Sequence, residues 1–370
     1  MKWVPVGLLV LGTLLTMACE GGKLMVGVVL PQTGVNKGYG ASLQAGIKLA
    51  LDDAVARNSP PGIEAQYRDS LSHPEYAAKE ASELFKAGAL IVIGGATTPE
   101  AMAMIPEAEK ATRVIISPSA SKPGLAETSN LFFRTVPSDD FEAEVAADFL
   151  VTQKKAKTIL VLFQQGLYSE GLLPVFTAKV ANLGGKITDK LPIGPTDWDK
   201  AIGEALAASK PDAIFICAYS EETLAALGMV RNAKFGGSVC TTSAFDAANS
   251  VKRAGAAAEG VFVPLVRLDI GSQQEPMKSF VARFKAANKG AAPDLFAAYG
   301  YDAALAALYA LEGSPPKEAS ELLVRLMSLG GRQGVTGKLA FDKSGNIAHH
   351  PRMHVIRNGN FEDCDPSPTS

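Results

Sequence analysis

The sequence is poor in the residue types that build metal centres and disulfide frameworks. Its 370 residues include only four cysteines and four histidines. The cysteines form no Cys-x-x-Cys pair and show no zinc-site spacing, and three of the histidines lie in a late segment that is typical of an exposed hairpin. We therefore expect no metal and no cofactor. Cys217 and Cys240 each close an apolar run, so we predict that both are buried as small hydrophobic side chains.

An excess of charge of one sign is also absent. The chain has 36 Lys and Arg against 38 Asp and Glu, and no run of like charge. This balance argues against nucleic acid as a partner. The hydrophobic fraction of 47% is ample for large cores, and the length favours two domains.

Three motifs of common enzyme classes are missing as well. "VANLGGKIT" lacks the first glycine and the hydroxyl of a phosphate-binding loop, and "GGATTPE" does not fit the dinucleotide fingerprint. "GLYSEG" places Gly166 three residues before Ser169, whereas a nucleophile elbow needs two. Paired carboxylates such as Asp139-Asp140 are explained by the electrostatics of helix starts. We therefore predict that the protein is not an enzyme.

The single long apolar run stands at the beginning of the chain. "VPVGLLVLGTLLTMA" follows Lys2 and is typical of an export signal. It ends in "LTMAC", which resembles the lipobox of bacterial lipoproteins, with Ala18 before the cleavage point and Cys19 as the lipidated residue. We predict a signal peptide over residues 1–18 and a lipid-anchored protein, periplasmic or on the outer face of the cell membrane. The alternative is a secreted protein without lipid.

From residue 24 onward, short apolar runs alternate with helical stripes. "LMVGVVL" is typical of a strand buried on both faces, and Leu43, Ile47, Leu51 and Val55 form one stripe of the next helix. The alternation restarts after "LFFRTVPSDD", so we predict an α/β fold with two doubly wound parallel sheets. The last part predicts three helices, short strands from "GVTGKLAFDKSGN" onward, and a hairpin turn at Asn358-Gly359.

The stretch "VIGGATTPEAM" predicts a strand, a glycine turn and a helix start. Thr98 fits the N-cap and Pro99 the first helical position. Such a helix start at the carboxyl edge of a parallel sheet can bind an anion. The next strand ends at the same edge and adds the hydroxyls of Ser119 and Ser121. Plain helix capping and loop polarity are the alternative interpretation.

These segments together resemble a known family. The stretches are "YGASLQAGIKLALDDA", "YRDSLSHPEYAAKEASEL", "LYSEGL", "TDWDKAI", "PDAIFICAYSEE" and "GVTGKLAFDKSGN". In order and spacing they are similar to the type I periplasmic binding proteins, and most of all to the leucine/isoleucine/valine-binding branch of ABC importers. The resemblance covers about residues 24 to 362.

The resemblance implies two lobes joined by a three-stranded hinge. Lobe 1 would be residues 23–137 plus 266–333, and lobe 2 would be residues 138–265 plus 334–362. Residues 363–370 would form a frayed tail. The ligand would lie in the cleft between the lobes.

It also implies a set of ligand contacts. Thr98, Ser119 and Ser121 would hold the carboxylate and ammonium of an amino acid, and Asp246 would be the acidic partner of the ammonium, with Glu221 and Glu222 as rivals. The cleft aromatics would be Tyr39, Tyr168 and Tyr219, together with one of Phe296, Tyr299 and Tyr301.

The function implied is capture of a small amino acid, branched-chain in the first place, by a monomer that delivers it to an ABC permease and ATPase complex. The lipid would be the only membrane attachment. Two alternatives stay open on the same scaffold: another ligand, such as an amide or an aromatic acid, and a sensor that reports a ligand without transport.

Overall fold

The computed structural model describes residues 23–194, 197–247, 249–266, 268–316 and 318–364. The predicted signal peptide and Cys19 lie outside the described residues, as do residues 365–370 of the predicted tail. Within the described ranges, no helix is long and apolar enough to cross a membrane.

The first lobe is built on a five-stranded parallel sheet with the strand order β2-β1-β3-β4-β5. Its strands are β1 Leu24–Leu30, β2 Ile63–Asp69, β3 Ile91–Gly94, β4 Val114–Ser117 and β5 Phe132–Arg134. All strands except the edge strand β2 are buried along their whole length. Burial on both faces explains their uninterrupted apolar sequences.

The helices of this lobe are α1 Lys37–Arg57, α2 Pro74–Lys86 and α3 Thr98–Ala111, with α9 Met277–Ala287, α10 Leu295–Ala310 and α11 Ala319–Met327 from the later part of the chain. Leu43, Ile47 and Leu51 are fully buried as predicted, but Val55 is 45% exposed. Each four-residue step turns about 40° beyond a full circle, so a stripe at this spacing leaves the buried face after three steps.

Helices α1 and α10 pack closely because glycines stand at their crossing. A methyl group at Gly46 would overlap the carbonyl group of Ala297, and one at Gly300 would overlap that of Leu43. This contact fixes the beginning of α1, with Tyr39, against the beginning of α10, with Phe296.

The second lobe is built on a seven-stranded sheet with the order β12-β11-β10-β9-β8-β6-β7. Its strands are β6 Thr158–Phe163, β7 Lys186–Pro192, β8 Ala213–Cys217, β9 Ser238–Thr241, β10 Phe262–Leu265, β11 Arg352–Arg357 and β12 Asn360–Asp363. Strands β6 to β10 pair in parallel, whereas β11 and β12 add an antiparallel hairpin at the edge. Its helices are α4 Asp139–Asp148, α5 Leu167–Asn182, α6 Trp198–Ser209, α7 Ser220–Asn232 and α8 Ser250–Ala254.

The predicted fold class of two parallel α/β lobes is confirmed. Cys217 and Cys240 are buried and free, as predicted. The turn between β11 and β12 has positive φ at Asn358 and Gly359, +51° and +74°, as the sequence predicts. The residue bounds of the lobes and the three-stranded hinge stay predictions.

Several local predictions were wrong by small amounts. The N-cap of α3 is Thr97 rather than Thr98, so Thr98 is the first helical residue and Pro99 the second. The segment "GVTGKLAFDKSGN" forms only isolated bridges to the residues that flank it, Lys338 with Gln333 and Phe341 with Ile347, instead of strands. Asp363 ends β12, so the chain is still paired where we expected fraying.

Candidate functional site

The carboxyl ends of β3 and β4 are tied together by serine hydroxyls. Ser117 Oγ donates to the carbonyl oxygen of Gly95 at 2.9 Å, and Ser119 Oγ donates to that of Ala96 at 2.7 Å. Because β3 and β4 are neighbours, these bonds join the glycine turn to the loop after β4. Ser119 therefore holds together what we call the strand-end platform, which is the glycine turn after β3 and the loop after β4.

The start of α3 is held by a buried glutamate. The backbone N–H and Oγ1 of Thr97 both donate to Glu100 Oε2, at 3.1 and 2.9 Å, and Ser70 Oγ donates to the other oxygen of Glu100. Burial raises the pKa of Glu100 in spite of these bonds. Thr98 is only 1% exposed, and its hydroxyl has no hydrogen-bond partner among the described residues.

The loop that carries Ser121 is held by a buried arginine, which the sequence analysis did not single out. Arg134 is completely buried, and its Nη1 donates to the carbonyl oxygen of Lys122 at 2.9 Å and more weakly to that of Ala120 at 3.4 Å. Its Nε donates to Asn346 Oδ1 at 2.8 Å. Ser121 lies between the two residues whose carbonyls are bound.

The predicted cleft tyrosines come together in one cluster. Tyr168 and Tyr219 stack with their ring centres 4.8 Å apart and their planes at 19°. Tyr39 contacts Tyr219 edge-on at 5.7 Å and Phe296 at 5.1 Å. Of the three candidates in α10, Phe296 is thus the one that contacts Tyr39. The cluster unites side chains from both lobes.

The three tyrosines of this cluster border a cavity of about 240 Å³ between the lobes. Its lining includes Tyr39, Thr97 and Pro99 from the first lobe and Tyr168, Tyr219, Glu221 and Glu222 from the second. Thr98 lies between two lining residues but is itself buried. Ser119 and Ser121 are half-buried in the loop after β4 and do not line this cavity.

The hydroxyl of Tyr219 reaches from the second lobe towards the start of α3. Burial, then the neighbouring Tyr39, raises its pKa, and the nearby backbone N–H of Thr98 counteracts a part of this effect. Although it is buried near this N–H, the Tyr219 hydroxyl does not have the geometry of a hydrogen bond with it or with any other group within the described ranges. Two hydroxyls without partners, on Thr98 and Tyr219, therefore lie near each other from opposite lobes.

Two buried carboxyl groups, on Asp139 and Glu142, lie at the start of α4 and bind serines that follow β4 and β9. Ser121 Oγ donates to Asp139 Oδ2 at 3.0 Å, and Ser243 donates to Glu142 through its N–H at 2.7 Å and its Oγ at 2.6 Å. Burial raises the pKa of Asp139 to about 7. Burial, with the negative charge of Asp139 as the next cause, raises the pKa of Glu142 to about 8.

Sequence reasoning missed this pair, because it attributed Asp139 to helix-start electrostatics. A usable signal was present. Residues 139, 142, 143 and 146 share one helical face, and the last two are alanines that are fully buried. The two carboxylates therefore belong to the buried face of α4.

Asp246 does not line the cavity that the tyrosines border. It ends a 3₁₀ turn, Ser243–Asp246, and its Oδ2 accepts a hydrogen bond from the backbone N–H of Leu295 at 3.1 Å. It lines a second crevice with Asp294, and burial, with the charge of Asp294, raises its pKa. A contact between Asp246 and a ligand stays a prediction. The alternative residues Glu221 and Glu222 line the cavity that the tyrosines border. Glu221 is also paired with Arg253.

Comparison with known proteins covers nearly the whole described chain. The profile of a family described as periplasmic binding protein matches residues 23–358. A Leu/Ile/Val-binding protein of Rhizobium johnstonii is 24% identical over 205 residues, which is 54% of this chain and 55% of that protein. The match thus spans about half the length of this relative. The leucine-, isoleucine-, valine-, threonine- and alanine-binding protein of Pseudomonas aeruginosa is 24% identical over 327 residues, 86% of this chain and 85% of that one.

Solved structures share the two-lobed fold. A leucine binding protein of Thermotoga maritima superposes with a TM-score of 0.85 at 23% identity, covering 92% of this chain and 97% of that one. A Streptococcus pneumoniae substrate-binding protein in complex with isoleucine gives 0.82 at 24%, covering 92% and 98%. A solute binding protein of R. palustris in complex with benzoate gives 0.82 at 19%, covering 93% and 96%. The family predicted from the sequence is confirmed, and the chain belongs to the periplasmic binding proteins.

Proposed function

We propose that this protein is the extracytoplasmic substrate-binding component of an ABC importer and that it captures a small amino acid between its lobes. One observation carries the proposal. The hydroxyls of Thr98 and Tyr219 are buried, come from opposite lobes and have no partner among the described residues. Buried polar groups are normally hydrogen-bonded, so two such groups beside an interlobe cavity point to a polar ligand.

The contacts available match the parts of an amino acid. The start of α3 favours a carboxylate through the backbone N–H of Thr98 and the helix dipole, since Pro99 has no N–H and the capping box takes up those of Thr97 and Glu100. The hydroxyls of Ser119 and Ser121, at the neighbouring strand end, already donate to Ala96 and Asp139, so towards a ligand they could act only as acceptors, as from an ammonium group. The aromatic rings of Tyr39, Tyr168 and Tyr219 provide apolar walls for a side chain. A branched-chain side chain is the first choice, because the relatives named above bind leucine, isoleucine and valine.

Capture needs no chemical step. The arrangement supplies hydrogen bonds and aromatic surface, and with the predicted hinge between the lobes, closure around the ligand would be the response that a permease recognises. We therefore propose that the protein has no enzymatic activity and needs no cofactor. Its partners would be the permease and ATPase, and it would act as a monomer that is held to the membrane by the lipid on Cys19.

An aromatic acid is the second candidate ligand. Tyr168 and Tyr219 stack nearly parallel, and such a pair can extend its stacking to a ligand ring. The R. palustris protein of the same fold is in complex with benzoate. An amide, or a sensor role without transport, would use the same cleft.

A thermal-shift panel separates these ligands. It would compare the 20 common amino acids, benzoate and small amides on the chain without its signal peptide. A ligand at about 100 times its dissociation constant raises the free energy of unfolding by about 2.7 kcal/mol. We expect leucine, isoleucine or valine to raise the melting temperature most. A panel in which no amino acid raises it would contradict the proposal.

A further inference from the structure

Asp139 and Glu142 form a pair of buried carboxyl groups at the junction of the lobes. Asp139 is 1% exposed and Glu142 is 6% exposed. Asp139 is bonded to Ser121 of the loop after β4, and Glu142 is bonded to Ser243 of the turn after β9. Through these two bonds, the start of α4 is joined both to the strand-end platform of the first lobe and to the turn after β9 in the second lobe.

Neither carboxyl group forms an ion pair with a described residue. Arg134 is the cation that favours ionisation of Asp139, but the guanidinium hydrogen bonds found here go to Ala120, Lys122 and Asn346. The charge of Asp140 opposes that ionisation. A buried carboxylate pair with so little compensation is costly, and a cation placed beside it would relieve that cost.

The other titratable groups around the pair do not provide this cation. Burial raises the pKa values of the facing tyrosines and thiols, which are therefore neutral at physiological pH. These groups are Tyr168, Tyr219, Tyr299, Cys217 and Cys240.

A second observation points to a ligand near the pair. The Thr98 hydroxyl is buried without a partner at the end of β3, and Ser121, which binds Asp139, follows the adjacent strand β4. The Tyr219 hydroxyl, also without a partner, faces the same helix start, and its pKa responds to the charge of Asp139. A ligand bound by Thr98 and Tyr219 would therefore lie within the field of Asp139, and Glu142 lies one helical turn further along α4.

We propose that Asp139 and Glu142, rather than Asp246, hold the positively charged nitrogen group of the ligand. The inference rests on the proposed function. It implies that the cleft selects molecules with an ammonium or similar cation over plain carboxylic acids such as benzoate. The carboxylate side of the ligand would face α3, and the cationic side would face α4.

Proton release follows from this assignment. In the free protein the pair shares protons near neutral pH, since the pKa values lie at about 7 and 8. A bound cation favours the ionised carboxylates, so its binding lowers both pKa values. Binding should release protons near pH 7.5 and weaken as the pH falls.

The test is calorimetric titration of the parent protein at pH 7.5 with three matched probes, in phosphate and in Tris buffer. The probes are leucine, 4-methylpentanoate, which lacks the ammonium, and 3-methylbutylamine, which lacks the carboxylate. Leucine should bind with release of protons, and 4-methylpentanoate should bind at least tenfold more weakly. The Glu142→Gln variant should bind leucine at least tenfold more weakly and release fewer protons. Glu144→Gln, on the exposed face of the same helix, is the matched control and should behave like the parent.

The outcomes separate the two claims. Equal binding of leucine and 4-methylpentanoate by the parent would overturn the inference and leave a solute-binding protein. Leucine binding that is unchanged in Glu142→Gln, with the same proton release, would also overturn it and leave the amino acid function standing. Failure of every amino acid to bind the parent would overturn both. Melting temperatures of the unliganded variants check that each one folds.

Discussion

The hydroxyl group of Tyr39 donates a hydrogen bond to the carbonyl oxygen of Ala244 at 2.7 Å and accepts one from the backbone N–H of Ser220 at 2.9 Å. Tyr39 stands in the first turn of α1 in the first lobe, whereas both partners belong to the second lobe. The bonds are buried, and burial raises the pKa of the tyrosine. One side chain thus connects the two lobes beside the cavity.

Replacement of this hydroxyl should make closure less favourable. In Tyr39→Phe the ring stays, but the hydrogen bonds of this hydroxyl to the second lobe are lost. We therefore expect the free energy of ligand binding to become about 0.5–1.5 kcal/mol less favourable. Small-angle scattering at equal ligand concentration should show a larger radius of gyration than for the parent. Tyr76→Phe, on the exposed face of α2, is the control. Unchanged affinity in Tyr39→Phe would show that the contact does not contribute to closure.

The Thr98 hydroxyl should matter for binding and not for folding. It has no partner among the described residues, so Thr98→Val removes no hydrogen bond of the unliganded protein. We expect an unfolding free energy close to that of the parent, and a loss of about 1.5–3 kcal/mol in binding if the hydroxyl contacts a charged ligand group. Calorimetry and urea unfolding measure the two quantities. A variant that binds as tightly as the parent would remove Thr98 from the site.

The stability of the unliganded protein should fall as the pH rises from about 4.5 to about 8. The folded protein holds protons on Asp139 and Glu142 up to pKa values of about 7 and 8, while the unfolded chain loses them near the usual values of 3.8 and 4.5. The folded state therefore binds more protons in this range, and each unit of pKa difference corresponds to about 1.4 kcal/mol.

The Glu142→Gln variant isolates one of these groups. Urea unfolding at several pH values should show a smaller loss of stability from pH 4.5 to 8 than in the parent. Asp302, whose pKa burial raises to about 6, contributes in the same direction in both proteins and cancels in the comparison. Glu144→Gln again serves as the control. An identical slope in Glu142→Gln and parent would contradict the assignment of a raised pKa to this group.

Asp246 and Glu142 lead to opposite expectations. If Asp246 held the ligand ammonium, Asp246→Asn would weaken binding by about 2–5 kcal/mol. Its carboxylate instead accepts the N–H of Leu295, and an asparagine oxygen can accept the same bond. We therefore expect Asp246→Asn to bind leucine with nearly parental affinity in a calorimetric titration. A large loss of affinity would favour the prediction made from the family resemblance.

Lipidation can be tested on the full chain. The sequence "LTMAC" predicts cleavage after Ala18 and a lipid on Cys19. In Cys19→Ser the protein should move from the membrane fraction to the soluble fraction, whereas Cys364→Ser should leave the distribution unchanged. Immunoblots of fractionated cells measure this. Membrane association of Cys19→Ser equal to that of the parent would count against a lipid anchor.

Local sequence patterns determined the secondary structure and the family of this protein. Continuous apolar runs predicted the buried parallel strands because strands covered on both faces need no polar residues. Asn358-Gly359 predicted its hairpin turn because both positions need positive φ. The hydroxyls after β3 and β4 could be placed at one sheet edge because parallel strands end on the same side.

Only the tertiary structure decided which polar groups are buried and which are already bonded. Ser121 and Asp139 are 18 residues apart and Glu142 and Ser243 are 101 apart, so no local pattern predicts these bonds. Asp246 and Glu142 are both carboxylates near helix or turn boundaries, and the sequence does not distinguish their surroundings. The packing of α10 against Asp246 and of both lobes around Glu142 does, because burial and neighbouring charge determine the cost of ionisation.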